Sequence, residues 1–276
     1  MPTIAELLQP LRYATAHLGD RNQYLTVGFT RTSAKEKRND MTWRQMSLLA
    51  LAGALCLQAK DSKKDIDKRL DATVSTFTEM AGAPDKGLPG SVLKKSVCVV
   101  VVPGLKKGGF LVAAQYGSGF ASCRTPTGWS APLAMKMEGG SFGLQAGGEA
   151  SDVILLVMNE SGMKRLTSSK FTLGGEASVA AGPVGRDAQA MTDATMKAEI
   201  LSYSRSQGVF GGISLNGSTL RPDNDTNKEL YGKEVESLDV LGGKVPTPPA
   251  AQPFAAKLKQ YASAAAAKAA AKKDKK

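Results

Sequence analysis

Between Val97 and Arg221 the sequence is cut into short apolar or β-branched runs, and most of the cuts fall at glycine or proline. Runs of four to ten residues bounded in this way read as strands. Val97 to Val102 is a buried strand ended by Pro103-Gly104. Gly109 to Tyr116 and Gly119 to Arg124 follow, with Gly117-Ser118 as a hairpin turn between them. Trp129 to Met137, Ser141 to Glu149, Asp152 to Met158 and Phe171 to Ala181 continue the series, the last with a bend at Gly174-Gly175. Lys197 to Ser206, Val209 to Leu215 and Ser218 to Arg221 complete it, split by Gln207-Gly208 and by Asn216-Gly217, a preferred hairpin dipeptide. Nine or ten short strands joined by tight turns predict an antiparallel sheet that curls or closes to hide its edges. The fold class expected is α+β: a β-rich, barrel-like or strongly curved antiparallel sheet with helices packed at its ends.

Helical spacing appears outside this stretch. Ile66, Leu70, Val74, Phe77 and Met80 recur along Asp61 to Ala81, with charges between them, and Gly82-Ala83-Pro84 ends the pattern. This helix is expected either to cover an open end of the sheet or to lie in a membrane interface through its apolar face, beside Lys63, Lys64, Lys68 and Arg69. Asn159 to Ser169 and Asp225 to Tyr231 read as short helices, the second opened by an Asp/Asn cap. Gly242 to Pro253 is proline-rich, and 233–253 is expected to be a linker. Residues 254–276 form a basic Ala/Lys-rich tail with no apolar face demanding a partner.

Met41 to Ala59 has the layout of a secretory signal peptide: Arg44, an apolar run from Ser47 to Leu57, and small Ala59 before the polar Lys60 to Lys64. Residues 1–40 then read as an upstream extension outside the fold, with Met41 or Met46 as the start. Cys56 follows Leu55, where a lipidated cysteine wants a small residue. The chain is therefore expected to be exported, to the periplasm or cell envelope. In an oxidising compartment Cys98 and Cys123 have two readings, a disulfide between neighbouring strands or two buried thiols.

The net charge of +11 is concentrated at the ends. The tail from Phe254 alone carries seven lysines and one aspartate, while Lys60 to Pro253 carries 22 basic and 20 acidic residues. A nearly neutral body is not what a nucleic-acid-binding domain presents, so no nucleic-acid partner is expected. The chain's single histidine, His17, lies in the upstream extension, which removes the commonest general base from the rest. No catalytic residue, metal site or cofactor is expected.

Several blocks carry a likeness: Pro103-Gly104-Leu105-Lys106-Lys107-Gly108-Gly109-Phe110, Gln115-Tyr116-Gly117-Ser118-Gly119, and Gly139-Gly140-Ser141-Phe142-Gly143. Ala180-Ala181-Gly182-Pro183-Val184-Gly185-Arg186, Ser202-Tyr203-Ser204-Arg205-Ser206 and Asp223-Asn224-Asp225 follow in order. Together they resemble the SYLF domain, over about 91–232, with 60–90 as a helical region before it. The resemblance implies a non-enzymatic lipid-binding module. Eukaryotic members bind phosphoinositides and, in fungi, bundle actin, usually joined to SH3 or FYVE modules. No such module is visible here, and the signal-like segment looks like the exported bacterial form, for which actin is not an expected partner. The partners expected are anionic phospholipids or phosphoinositide-like head groups at a membrane surface. A structural envelope or adhesion protein is the alternative, and an exported hydrolase a more remote one.

Lys94-Lys95 and Lys106-Lys107 flank one buried strand, and they are expected to bring four ammonium groups to one end of the sheet for phosphate head groups. Arg186 follows a Gly-Pro-Val-Gly turn and offers a bidentate fork for phosphate. The competing reading is of ordinary solvated lysines at strand ends.

Overall fold

The computed structural model describes residues 62–83, 87–109, 112–142, 147–184 and 197–273. The chain divides into Met1–Leu57 and Gln58–Lys276, and everything described lies in the second unit. The expected upstream extension, the signal peptide and Arg186 lie outside the described residues.

Helix α1 (Lys63–Gly82) begins where the Ser62 hydroxyl accepts from the Asp65 amide, and helix α2 (Gly90–Lys95) follows. The strands are β1 (Cys98–Gly109), β2 (Val112–Thr125), β3 (Gly128–Trp129), β4 (Leu133–Phe142) and β5 (Gly147–Val157). After helix α3 (Glu160–Leu166) come β6 (Phe171–Thr172), β7 (Val179–Ala181), β8 (Ile200–Ser206), β9 (Val209–Gly212) and β10 (Thr219–Pro222). Helices α4 (Asn224–Tyr231), α5 (Ser237–Leu241) and α6 (Gln252–Lys273) complete the order. The ten strands form one strongly curled sheet in the order β6-β10-β4-β2-β1-β5-β8-β7, with β3 added to β2 and β9 to β8. The α+β class, the curvature and the helices at the ends are as expected. The sheet is mixed rather than purely antiparallel, because short β7 runs parallel to β8.

Alternation along the strands gives the sheet two apolar faces. Cys98, Val100, Val102 and Leu105 of β1 join one core with Leu133, Val153, Leu155, Leu220, Val240 and Leu241. Val99 and Val101 join the other, with Phe120, Ile154, Leu156 and Tyr203, covered by Ile66, Leu70, Phe77 and Met80 of α1. The apolar face of α1 is thus buried against the sheet, which decides between its two readings in favour of packing. Cys98 and Cys123 are register partners on β1 and β2, their Cα atoms 3.9 Å apart, and they form a disulfide.

Two turn assignments are corrected. Pro103-Gly104 does not end the first strand; β1 runs through it to Gly109 with a bulge, the pairing skipping from Val102 to Leu105 against β5. Gly117-Ser118 is no hairpin turn but the middle of the 14-residue β2. Glycine is needed there because the bulged strand presses on its neighbour. A Cβ at Gly119 would stand 1.9 Å from the Val101 carbonyl oxygen, and one at Gly117 2.7 Å from Val102 Cγ1. Asn216-Gly217 does make a turn, with Gly217 at φ +82°, but β9 and β10 are not paired across it.

The C-terminal segments pack more closely than their composition implies. In the expected linker, α5 buries Val240 and Leu241 completely. In the expected tail, α6 buries Phe254 and Leu258, and Phe77 of α1 meets both Phe254 and Tyr261 edge-on at ring-centroid distances of 6.4 and 5.6 Å. Three residues spaced four and three apart make an apolar stripe that the surrounding alanines and lysines conceal.

Candidate functional site

The bulge in β1 shapes a groove. Gly104 takes a left-handed conformation, φ +55°, with nothing within 4 Å of where a Cβ would be. Its amide donates to Asp152 Oδ1 of β5 at 2.9 Å. Asp152 in turn accepts from both Nε and Nη2 of Arg205, its register partner on β8, at 3.2 and 2.6 Å. Arg205 reaches on to Glu79 of α1, whose other oxygen accepts from the Ser75 hydroxyl. One chain of charged hydrogen bonds therefore ties the bulge to β5, β8 and the helix above. The Ser75 hydroxyl, followed by the Arg205 guanidinium, holds the Glu79 carboxyl below the ordinary carboxylate range.

The extra residue in the bulge also resets the alternation of β1. Val102 and Leu105 are three apart yet share one core, so Lys106 turns to the face that α1 covers and Lys107 to the opposite face. Lys106 thereby enters a groove of about 590 Å³ between α1 and the sheet. Lys68, Arg69, Ser75 and Thr76 of α1 line one wall, and Lys106, Tyr116, Ser118 and Asp152 line the other. A second recess of about 310 Å³ shares Gly104 and Asp152 with it and continues to Arg205, Gln207 and Gly208.

The electrostatics of the groove are one-sided. Among the described residues the one carboxylate lining it is Asp152, engaged by Arg205 and the Gly104 amide. Farther along the same face, Arg221 is paired with Glu138 at 2.6 Å and Lys136 with Asp223 at 2.9 Å. Lys106 makes no ion pair among the described residues, and Lys68 makes a loose, exposed one with Asp65 at 3.9 Å. Among the described residues, the lysine charge at the groove, Lys106 unpaired and Lys68 only in an exposed pair, thus exceeds what its own acid neutralises, and the hydroxyls of Thr76, Ser118 and Tyr116 stand beside it. This set suits an anion.

The four sequence-predicted lysines are not brought together. Lys94 and Lys95 end α2, before Cys98, and eight residue steps of strand lead from Cys98 to Lys106, roughly 26 Å at 3.3 Å per step. The bulge throws Lys107 onto the other side of the sheet. Only Lys106 stands in the groove. Lys94 and Lys95 are exposed beside Arg124, which donates to the Ser96 and Leu93 carbonyls and lies 4.6 Å over the Trp129 ring. In the sequence Lys68 and Arg69 read only as the basic flank of an interfacial helix, and Tyr116 only as part of a family-like block. The signal that could have found them is the pairing of a basic patch on a helix with a Pro-Gly bulge, but only the fold makes them neighbours.

Other motifs have structural work. Asp223 caps α4 through the Thr226 amide. Asn227 both accepts from the Ala134 amide and donates to its carbonyl, standing in for a strand at the end of β4. Gly139-Gly140-Ser141-Phe142-Gly143 has the spacing of a nucleophile elbow, but Gly139 to Phe142 lie within β4 rather than at a strand-to-helix turn.

A protein-family model described as Ysc84, Las17-binding protein actin regulator, matches residues 138–261, farther toward the C-terminus than the likeness read from sequence. "SH3 domain-containing YSC84-like protein 1" of Rattus norvegicus is 35% identical over 189 residues, which is 67% of this chain and 55% of that protein. "Protein YSC84" of Saccharomyces cerevisiae is 36% identical over 174 residues, 62% of this chain and 37% of that protein. "LAS seventeen-binding protein 3" of the same yeast is 34% identical over 174 residues, 62% of this chain and 38% of that protein. The chain spans about half the length of the mammalian relatives and less of the yeast ones. The family description names an actin regulator and the last relative a binding protein, and none of these names is an enzyme's.

Proposed function

We propose, from the premise that this chain belongs to the SYLF (Ysc84) domain family, that it is a non-enzymatic, membrane-associated protein that binds anionic phospholipid head groups. The observation that carries this reading is the excess of cationic groups in the groove between α1 and the β1 bulge. A nearly neutral body cannot hold an anionic surface through bulk charge, so a local cluster must do it. Each lysine brought to such a surface contributes about 1 kcal/mol, and salt screens the attraction. The basic tail adds to the same interaction, and the signal-like segment fits export to the cell envelope.

The test is flotation with vesicles of phosphatidylcholine alone and of phosphatidylcholine with phosphatidylglycerol. The chain is expected to float with the second and not the first, and more strongly at low salt. Equal flotation with both would reject the head-group reading. A second reading, a protein-binding module, is favoured by the names of the yeast relatives, one of which is called a LAS seventeen-binding protein. It is the reading left standing if no vesicle is bound.

A further inference from the structure

Only three large apolar side chains among the described residues stand well exposed: Tyr116 at 48%, Val209 at 74% and Leu238 at 59%. Isolated exposed apolar residues are ordinary. Their placement here is not even. Tyr116 lines the cationic groove, its hydroxyl 3.3 Å from that of Ser118. Val209 directly follows Gly208, which lines the recess continuing from that groove. It stands at the tip of the β8–β9 hairpin, whose turn is made by Gln207 and Gly208, both at positive φ. Leu238 lies elsewhere, on α5, whose Val240 and Leu241 pack into the core on the opposite face of the sheet. Two of these three exposed apolar groups therefore flank the groove that carries surplus lysine charge.

That combination is the chemistry of an interface between water and an anionic bilayer. Cationic side chains meet phosphates, a tyrosine sits with its ring in the apolar border and its hydroxyl among head groups, and an aliphatic group on a protruding turn enters the border beside it. We propose that the groove end of the sheet is the face that docks on an anionic bilayer, with Tyr116 and Val209 entering the interface beside phosphates held by Lys68 and Lys106. This inference rests on the lipid reading above and goes beyond it, because head-group binding alone fixes no orientation and requires no apolar contact. It also excludes the other end of β1, where Lys94 and Lys95 are exposed without an apolar companion.

The experiment attaches an environment-sensitive dye to Val209→Cys or, as a second protein, to Leu238→Cys. Both are made in a Cys56→Ser background with the Cys98–Cys123 disulfide intact, so that one thiol reacts. Each is mixed with phosphatidylcholine–phosphatidylglycerol vesicles, and flotation is measured in parallel. The expected result is flotation of both, with blue-shifted, brighter emission from position 209 and unchanged emission from position 238. Flotation with a shift at 238 alone, at both positions, or at neither overturns the docking face while leaving the lipid reading intact. Absence of flotation overturns both together. A second arm needs no dye: the Tyr116→Ala, Val209→Ser double variant is expected to bind about tenfold more weakly, from the apolar area it removes. It should also lose the binding that the parent retains in high salt. Parent-like binding by this variant in high salt would overturn the apolar contact.

Discussion

From Cys98 to Val102, β1 is buried on both faces; its side chains feed two cores and a disulfide fastens it to β2. A few residues along the same strand, Lys106 is exposed in a groove and Gly108 is open to solvent. The two ends share one backbone and the same two neighbouring strands, so strand pairing does not distinguish them. The difference is made at Pro103-Gly104. One extra residue there shifts the alternation, and the Gly104 amide is held by a carboxylate 48 residues away. The packed cores thereby lie at the closed end and the cationic groove at the open end. Substitutions at the two ends should separate folding from binding.

The closed end should respond most strongly in stability. Phe120→Ala empties a fully buried site beside Val99, Val101 and Ile154, and it is expected to cost about 3–5 kcal/mol in chemical denaturation. A loss below about 1 kcal/mol would show that the second core is not packed as described. Replacing both Cys98 and Cys123 by alanine releases a link between residues 25 apart in sequence. It should cost about 3 kcal/mol, with reductant lowering the parent's midpoint similarly. Insensitivity of both variant and reduced parent would remove the disulfide from the account of the closed end.

The junction should respond less. Asp152→Asn keeps the shape but removes the charge that Gly104 and Arg205 share, and about 1–2 kcal/mol is expected. The smallest effect is in pH. The Glu79 carboxyl is held low in the folded protein, so its ion pair favours folding above the unfolded carboxylate range and loses that contribution as pH falls through the folded value. For a half-exposed pair the expected change is under about 1 kcal/mol. Glu79→Gln should flatten the acid side of the stability profile by that amount, and an identical profile would show that the pair contributes nothing.

What could be read from the sequence was local. The spacing of Ile66, Leu70, Phe77 and Met80 predicted α1 nearly to the residue, because a buried helical stripe needs no knowledge of what covers it. The β-richness and curvature followed from the turns. The bulge was not legible, since Pro103-Gly104 reads as a turn and its partner Asp152 is distant in sequence. Gly117 and Gly119 likewise read as turn residues, while their reason is the close approach of β1. The docking stripe of α6, Phe254, Leu258 and Tyr261, was masked by an Ala/Lys composition. Of the candidate lysines, only Lys106 stands in the groove, because the two ends of one strand lie far apart. Lys68 and Arg69 join it from α1, and nothing local in the sequence shows which strand that helix covers.

The most direct test compares two charge-matched variants, Lys68→Gln with Lys106→Gln at the open end and Lys94→Gln with Lys95→Gln at the closed end. All four lysines are exposed, so both proteins should unfold within about 0.5 kcal/mol of the parent. Binding to phosphatidylcholine–phosphatidylglycerol vesicles is measured at low salt. At about 1 kcal/mol for each lysine, the open-end variant should bind roughly 30-fold more weakly and the closed-end variant within about twofold of the parent. Equal losses from the two variants, or a larger loss at the closed end, would contradict the assignment of the groove as the anionic-lipid site.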